Sequence, residues 1–187
     1  SRMSAPALRK ELATDGLTVD DLAVVPKPLL ARWVEHWRTL PDSERREQIG
    51  RFRQSIIDRQ KAVAEALAEV SELLANEVSA ATLASRGASR LRRIESLIEG
   101  WPHEAQLRAL VTAMQTGRPA AIRRAMANAE KKLGLRRIGD EAGSATRYDR
   151  TVHQPIAGSR IADDAPVIVV RPGYAIDISG ERVTILR

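Results

Sequence analysis

Apolar positions recur at helical spacing through the first two thirds of the chain. From Leu29 to Leu40 the residues Leu29, Leu30, Trp33, Trp37 and Leu40 fall on one side of a helix, and that side carries two of the three tryptophans. Such a face has to be covered, either by the core or by a partner, which makes Trp33 and Trp37 a candidate docking face. Before it, Ala5 to Gly16 reads as a short helix closed by Gly16. Thr18-Val19-Asp20-Asp21 offers a cap for another short segment, which Pro26 and Pro28 interrupt. Pro41-Asp42-Ser43-Glu44 starts the longest element, which meets no proline and only Gly50 up to about Val78 and would span roughly 50 Å. Along it Ile49, Phe52, Ile56, Val63, Leu67, Val70 and Leu74 form a stripe suited to a helix seam, so a homodimer paired through this helix is expected. Gln60 falls on the seam, where a polar side chain either sets the register of paired helices or turns to solvent.

Small residues follow Ala80, and Gly87 predicts a break before an amphipathic helix over 91–98. Gly100-Trp101-Pro102 ends that helix. Another runs from His103 to Thr116 and is closed by Gly117, and a third starts at Pro119 and stops at Gly134. From Gly139 the pattern changes to short runs rich in β-branched residues, over 167–170, 174–178 and 183–186, with turns at Pro172-Gly173 and Ser179-Gly180. The expected fold class is therefore α+β, in three parts. An N-terminal helical extension occupies 4–41, a long helix with a helical bundle 42–138, and a small β-domain 139–187.

Four pieces of the C-terminal part occur in an informative order: Leu133-Gly134-Leu135-Arg136-Arg137-Ile138, then Tyr148-Asp149-Arg150-Thr151-Val152-His153-Gln154-Pro155-Ile156, then Val169-Val170-Arg171-Pro172-Gly173-Tyr174, and finally Gly180-Glu181-Arg182-Val183-Thr184-Ile185-Leu186-Arg187. Together they resemble the C-terminal part of the GrpE family of nucleotide exchange factors, over under a third of the chain. That resemblance implies a GrpE-like fold and a co-chaperone whose β-domain wedges against the nucleotide-binding domain of a DnaK-type chaperone and promotes ADP exchange. It implies partner contacts rather than catalytic groups: Arg182 as the basic residue facing the chaperone, Val170 as a nearby apolar contact, and Arg171 and Tyr174 beside them. Arg182 can pair bidentately with a partner carboxylate; as a bare hairpin residue it would simply be solvated. Tyr148 and Tyr174 also read as core or hinge packing. The connection from Tyr174 to Arg182 is longer than the family pattern, which predicts an extended hairpin.

Composition narrows the chemistry. With no cysteine among 187 residues, disulfides, thiolate zinc sites and cysteine nucleophiles are ruled out, and a reducing compartment suits the chain. No apolar run reaches membrane-span length, and no signal-type stretch follows Met3, read as the natural start with Ser1 and Arg2 ahead of it. A cytoplasmic protein with no membrane contact is expected. His153 reads as bonding local backbone, and His36 and His103 lie in separate segments without ligand spacing, so no metal is expected. No phosphate loop, dinucleotide fingerprint or nucleophile elbow occurs, hence no cofactor and no enzyme are expected.

The formal charge of +6 would suit an acidic partner, but along helices basic and acidic residues interleave, as in Glu44-Arg45-Arg46-Glu47, which suggests a solvated face. Nucleic-acid binding through Arg90, Arg92, Arg93, Arg118, Arg123, Arg124, Lys131, Lys132, Arg136 and Arg137 is the alternative. It is disfavoured because no aromatics interleave with these residues to stack on bases. A further alternative is a non-exchanging GrpE-like adaptor that docks through the Trp33/Trp37 face.

Overall fold

The computed structural model describes residues 3–14, 16–156 and 158–186, with the side chain of Ala88 left aside; Arg187, the last residue of the fourth motif, lies outside the described residues. Helix α1 (Ala5–Leu12) starts where the Ser4 hydroxyl accepts from Ala7 N, and has proline in its first turn. It ends four residues earlier than Gly16. Thr14 and Leu17 exchange backbone hydrogen bonds at 2.8 and 3.1 Å, closing a tight turn, and Gly16 lies so close to the long helix that a Cβ would sit 2.9 Å from Ile49 Cγ2. The expected cap at Thr18 is present: Asp21 Oδ2 accepts from Thr18 N at 2.7 Å while Thr18 Oγ1 accepts from Asp21 N, opening a short 3-10 turn, Asp21–Val24. That turn stops ahead of Pro26, as expected, and helix α2 (Lys27–Thr39) takes Pro28 into its first turn, where a missing N–H costs nothing.

Helix α3 (Asp42–Ala75) is the spine, with Asp42 and Glu44 in its first turn complementing the helix dipole. All seven residues of its predicted stripe are buried within this chain. Trp33 of α2 stacks on Phe52 with ring centroids 4.4 Å apart, and the C-terminal strands and the segment after residue 80 pack on the rest. The seam expected to pair two copies is thus covered by the chain's own elements. Gln60 neither faces solvent nor sets an intermolecular register. Its amide donates to Leu133 O at 2.9 Å, and its Oε1 lies 3.0 Å from His103 Nε2.

The Ser79 hydroxyl caps α4 (Ala80–Thr82), a wide π turn follows over Leu83–Gly87, and the chain continues into α5 (Ala88–Arg93) and α6 (Glu95–Ile98). Gly87 does not break this helical run. It is a point of close approach, since a Cβ there would meet the buried Met114 Cε at 2.5 Å. Helices α7 (Pro102–Gln115) and α8 (Pro119–Lys132) form a hairpin, each opened by proline.

Five strands complete the chain. β1 (Arg136–Ile138), β4 (Gly173–Ile178) and β5 (Glu181–Leu186) make an antiparallel sheet in the order β1-β4-β5, and β2 (Ala145–Arg147) pairs antiparallel with β3 (Pro166–Ile168). The fold is α+β, as the sequence pattern indicates. The extended β4–β5 hairpin turns at Ser179 and Gly180, both with positive φ, in the manner of a two-residue turn matched to strand twist. Ser179 is held in that conformation by the N-terminal region: its N–H donates to Asp21 Oδ1 at 3.1 Å and its hydroxyl to Gly16 O at 2.8 Å. One hydrophobic core runs from Leu8 to Ile185. The segments 4–41, 42–138 and 139–187 therefore share a core, and the three-stranded sheet begins before residue 139, at β1.

Candidate functional site

The β-rich lobe carries a cleft of about 700 Å3. Its walls include Ile138, Val152, Pro155, Ile156, Ile168 and Val170. β3 builds one side through alternation: Val167 and Val169 are half-buried while Ile168 and Val170 turn outward. Among the described residues five large apolar side chains are exposed, and three of them, Ile156 at 64%, Ile168 at 68% and Val170 at 39%, lie on this one cleft. That clustering separates the cleft from scattered surface apolar residues, which need no partner. β3 pairs only with β2, through Thr146 and its neighbours, so its other edge is open as well.

The floor is ordered by a turn around Asp149. Asp149 Oδ1 accepts from Thr151 N at 2.7 Å and from Thr151 Oγ1 at 2.6 Å, and those two hydrogen bonds hold the carboxyl below its ordinary pKa. The Asp149 N–H in turn donates to His153 Nδ1 at 2.9 Å. His153 thus bonds local backbone, in keeping with its sequence context, with its Nε2 directed into a buried position against the Gly139 loop.

Of the four sequence-derived contact residues, Val170 and Arg171 meet on the cleft, and Tyr174 and Arg182 do not line it. Val170 is on the cleft and exposed. Arg171 lines the same cleft, half-exposed, and its Nε donates to Glu72 Oε2 at 2.6 Å, so it also ties the lobe to α3. Tyr174 is fully buried and its hydroxyl donates to Glu130 Oε1 at 2.7 Å; burial first, and the Glu130 charge next, raise its pKa. It is a core residue and cannot touch a partner. Arg182 is exposed near the far end of the hairpin, opposite Asp177 and roughly 14 Å along β4 from Gly173 at the cleft end of that strand. There Asp177 sits between two arginines, 2.8 Å from Arg136 and 3.3 Å from Arg182. On α2, Trp33 is buried against Phe52, and Trp37 is half-buried with the Arg45 guanidinium 5.4 Å from its ring centroid. The two tryptophans therefore do not form an open docking face.

Sequence reasoning missed Ile156 and Ile168, because a run of β-branched residues does not reveal which alternate members are covered. It also missed Glu130 and Asp177, whose partners lie far away in sequence. Among the described residues no group of three or more histidines, aspartates or glutamates is placed to hold a metal ion, and no helix is long and apolar enough to cross a membrane. No family model matches the chain, and neither a curated protein nor a solved structure matches it.

Proposed function

We propose that this chain is a GrpE-like co-chaperone that docks its β-rich lobe on the nucleotide-binding domain of a DnaK-type chaperone and favours release of ADP. The observation that carries this reading is the gathering of exposed Ile156, Ile168 and Val170 on one cleft, in the stretch that bears the four GrpE-like motifs. Apolar side chains exposed together on one cleft are suited to act as anchors of a protein interface. Arg182 supplies a second, polar contact from the other end of the hairpin, where its guanidinium is exposed beside Asp177.

Exchange of this kind needs no acid or base. The factor binds the open form of the chaperone more tightly than the closed form, and that difference alone moves the population; about 1.4 kcal/mol of difference shifts it tenfold.

The test is release of labelled ADP from a DnaK-type chaperone with and without the protein. Stimulation is expected, with Ile168→Asp reducing it about tenfold or more and Arg182→Ala less. Ile168 is exposed, so the substitution leaves the core intact. Binding without any change in release would make the protein an adaptor, and neither binding nor release would defeat the reading altogether.

A further inference from the structure

The positive charge of this chain is concentrated in one place. Between Ala105 and Ile138 there are eight arginines and lysines against a single carboxylate, Glu130, so this segment carries +7 while the whole chain carries +6. The interleaving of signs seen along α3 does not extend to the α7–α8 hairpin.

Packing removes the one carboxylate from the surface balance. Glu130 accepts from the Tyr174 hydroxyl at 2.7 Å and pairs with Arg137 at 2.8 Å. Arg137 also engages Glu141, which with Arg123 lines a neighbouring cleft. Arg108 is matched by Glu104 and Arg136 by Asp177. Five cations remain: Arg118, Arg123, Arg124, Lys131 and Lys132, all exposed, and among the described residues their side chains have no ion pair or hydrogen bond.

Four of these lie on the outward half of α8 and the fifth, Arg118, is at its N-cap. On α8, Arg124 and Lys131 are about 20° apart around the helix axis and about 10 Å apart along it, with Arg123 and Lys132 on either flank. Arg118 extends the stripe at the N-terminal end, where the helix dipole adds to the positive field. Ile122, Met126 and Ala129 on the opposite side are buried. From Arg118 to Lys132 the stripe covers about 20 Å, the length of about six base pairs at 3.4 Å each.

We propose that this face of α8 binds duplex nucleic acid through its phosphate backbone, independent of base sequence. The exposed residues between the cations are Pro119, Ala120, Ala127 and Asn128. They provide no aromatic ring for stacking, which single strands would use. Nor do they provide a large apolar side chain to insert into a lipid surface or to anchor a protein interface. Unpaired cations, two adjacent pairs on α8 and one at its N-cap, suit the phosphate charge of a duplex.

Fluorescence anisotropy with a labelled duplex of about 30 base pairs tests this. Five neutralised phosphates give a log–log salt slope of about −4.5, so affinity falls about 500-fold between about 50 and 200 mM salt. Arg123→Gln combined with Arg124→Gln reduces the slope to about −2.7 and the loss to about 40-fold. Both residues are exposed, and circular dichroism of the variant verifies that the fold is retained. No binding at about 50 mM salt, or an unchanged slope in the double variant, overturns the proposal. Binding to phosphatidylserine vesicles without binding to the duplex overturns it equally.

Discussion

Acid should destabilise this protein through His103, a residue with no role in docking. The imidazole is fully buried against α3, and its Nε2 lies 3.0 Å from Gln60 Oε1. Because the Gln60 amide nitrogen is committed to Leu133 O, Oε1 faces His103, and the neutral ring must donate from Nε2. Its Nδ1 is then a bare lone pair with no partner among the described residues. Protonation would place a new N–H there without an acceptor. Burial, reinforced by the nearby Arg59 guanidinium, lowers the pKa from 6.5 to about 4. That guanidinium lies over the ring of Trp101, 4.7 Å from the centroid.

Linkage sets the sign. Above about pH 6.5 both folded and unfolded chains hold a neutral imidazole, and the residue adds no pH dependence. As pH falls below that, the unfolded chain takes up a proton that the folded chain refuses until about pH 4. Stability is therefore lost across this window and levels off below it. The interval of about two and a half pH units corresponds to about 3 kcal/mol, at 1.36 kcal/mol per unit. Urea unfolding followed by tryptophan fluorescence measures the effect, since Trp101 lies 5.7 Å from the His103 ring. His103→Gln retains a donor toward Gln60 and cannot titrate. Carboxylates titrate in both proteins and cancel in the difference, so wild type should lose about 3 kcal/mol more than the variant between about pH 7 and pH 4. Equal losses would refute the assignment of the burial penalty to His103.

Two further substitutions probe the ties between distant segments. Asp21→Ala removes the acceptor for Ser179 N and Thr18 N, so it should lower stability by about 2 kcal/mol and increase hydrogen exchange at the β4–β5 turn. Tyr174→Phe deletes the hydroxyl bonded to Glu130 and should cost about 1.5–3 kcal/mol in chemical denaturation while leaving partner binding intact, because Tyr174 is inaccessible.

The two surfaces differ in how far the sequence reveals them. The cleft is only half visible there: Val170 can be singled out by motif, but the neighbours that make it a cleft, Ile156 and Ile138, come from separate loops and strands. The α8 stripe is wholly present in the sequence. It is obscured when charge is averaged over all 187 residues, and the structure adds that Glu130, its one acid, is taken up by Tyr174 and Arg137.

By itself the sequence determined the local elements. Apolar spacing of three and four marks α2 and α3, Pro119 marks the start of α8, and Ser179-Gly180 marks the hairpin, because periodicity and turn chemistry act within a few residues of the chain. Tertiary structure decided what covers each apolar face. The α3 stripe went to this chain's own core instead of a second copy, Trp33 went to Phe52, and Gln60 went to Leu133 and His103. It also recruited β1 and β2, whose Arg136-Arg137-Ile138 and Ala145-Thr146-Arg147 have little strand character and are strands only because β4 and β3 pair with them. A local pattern specifies that a face is apolar; only contacts between residues far apart in sequence determine which surface meets it.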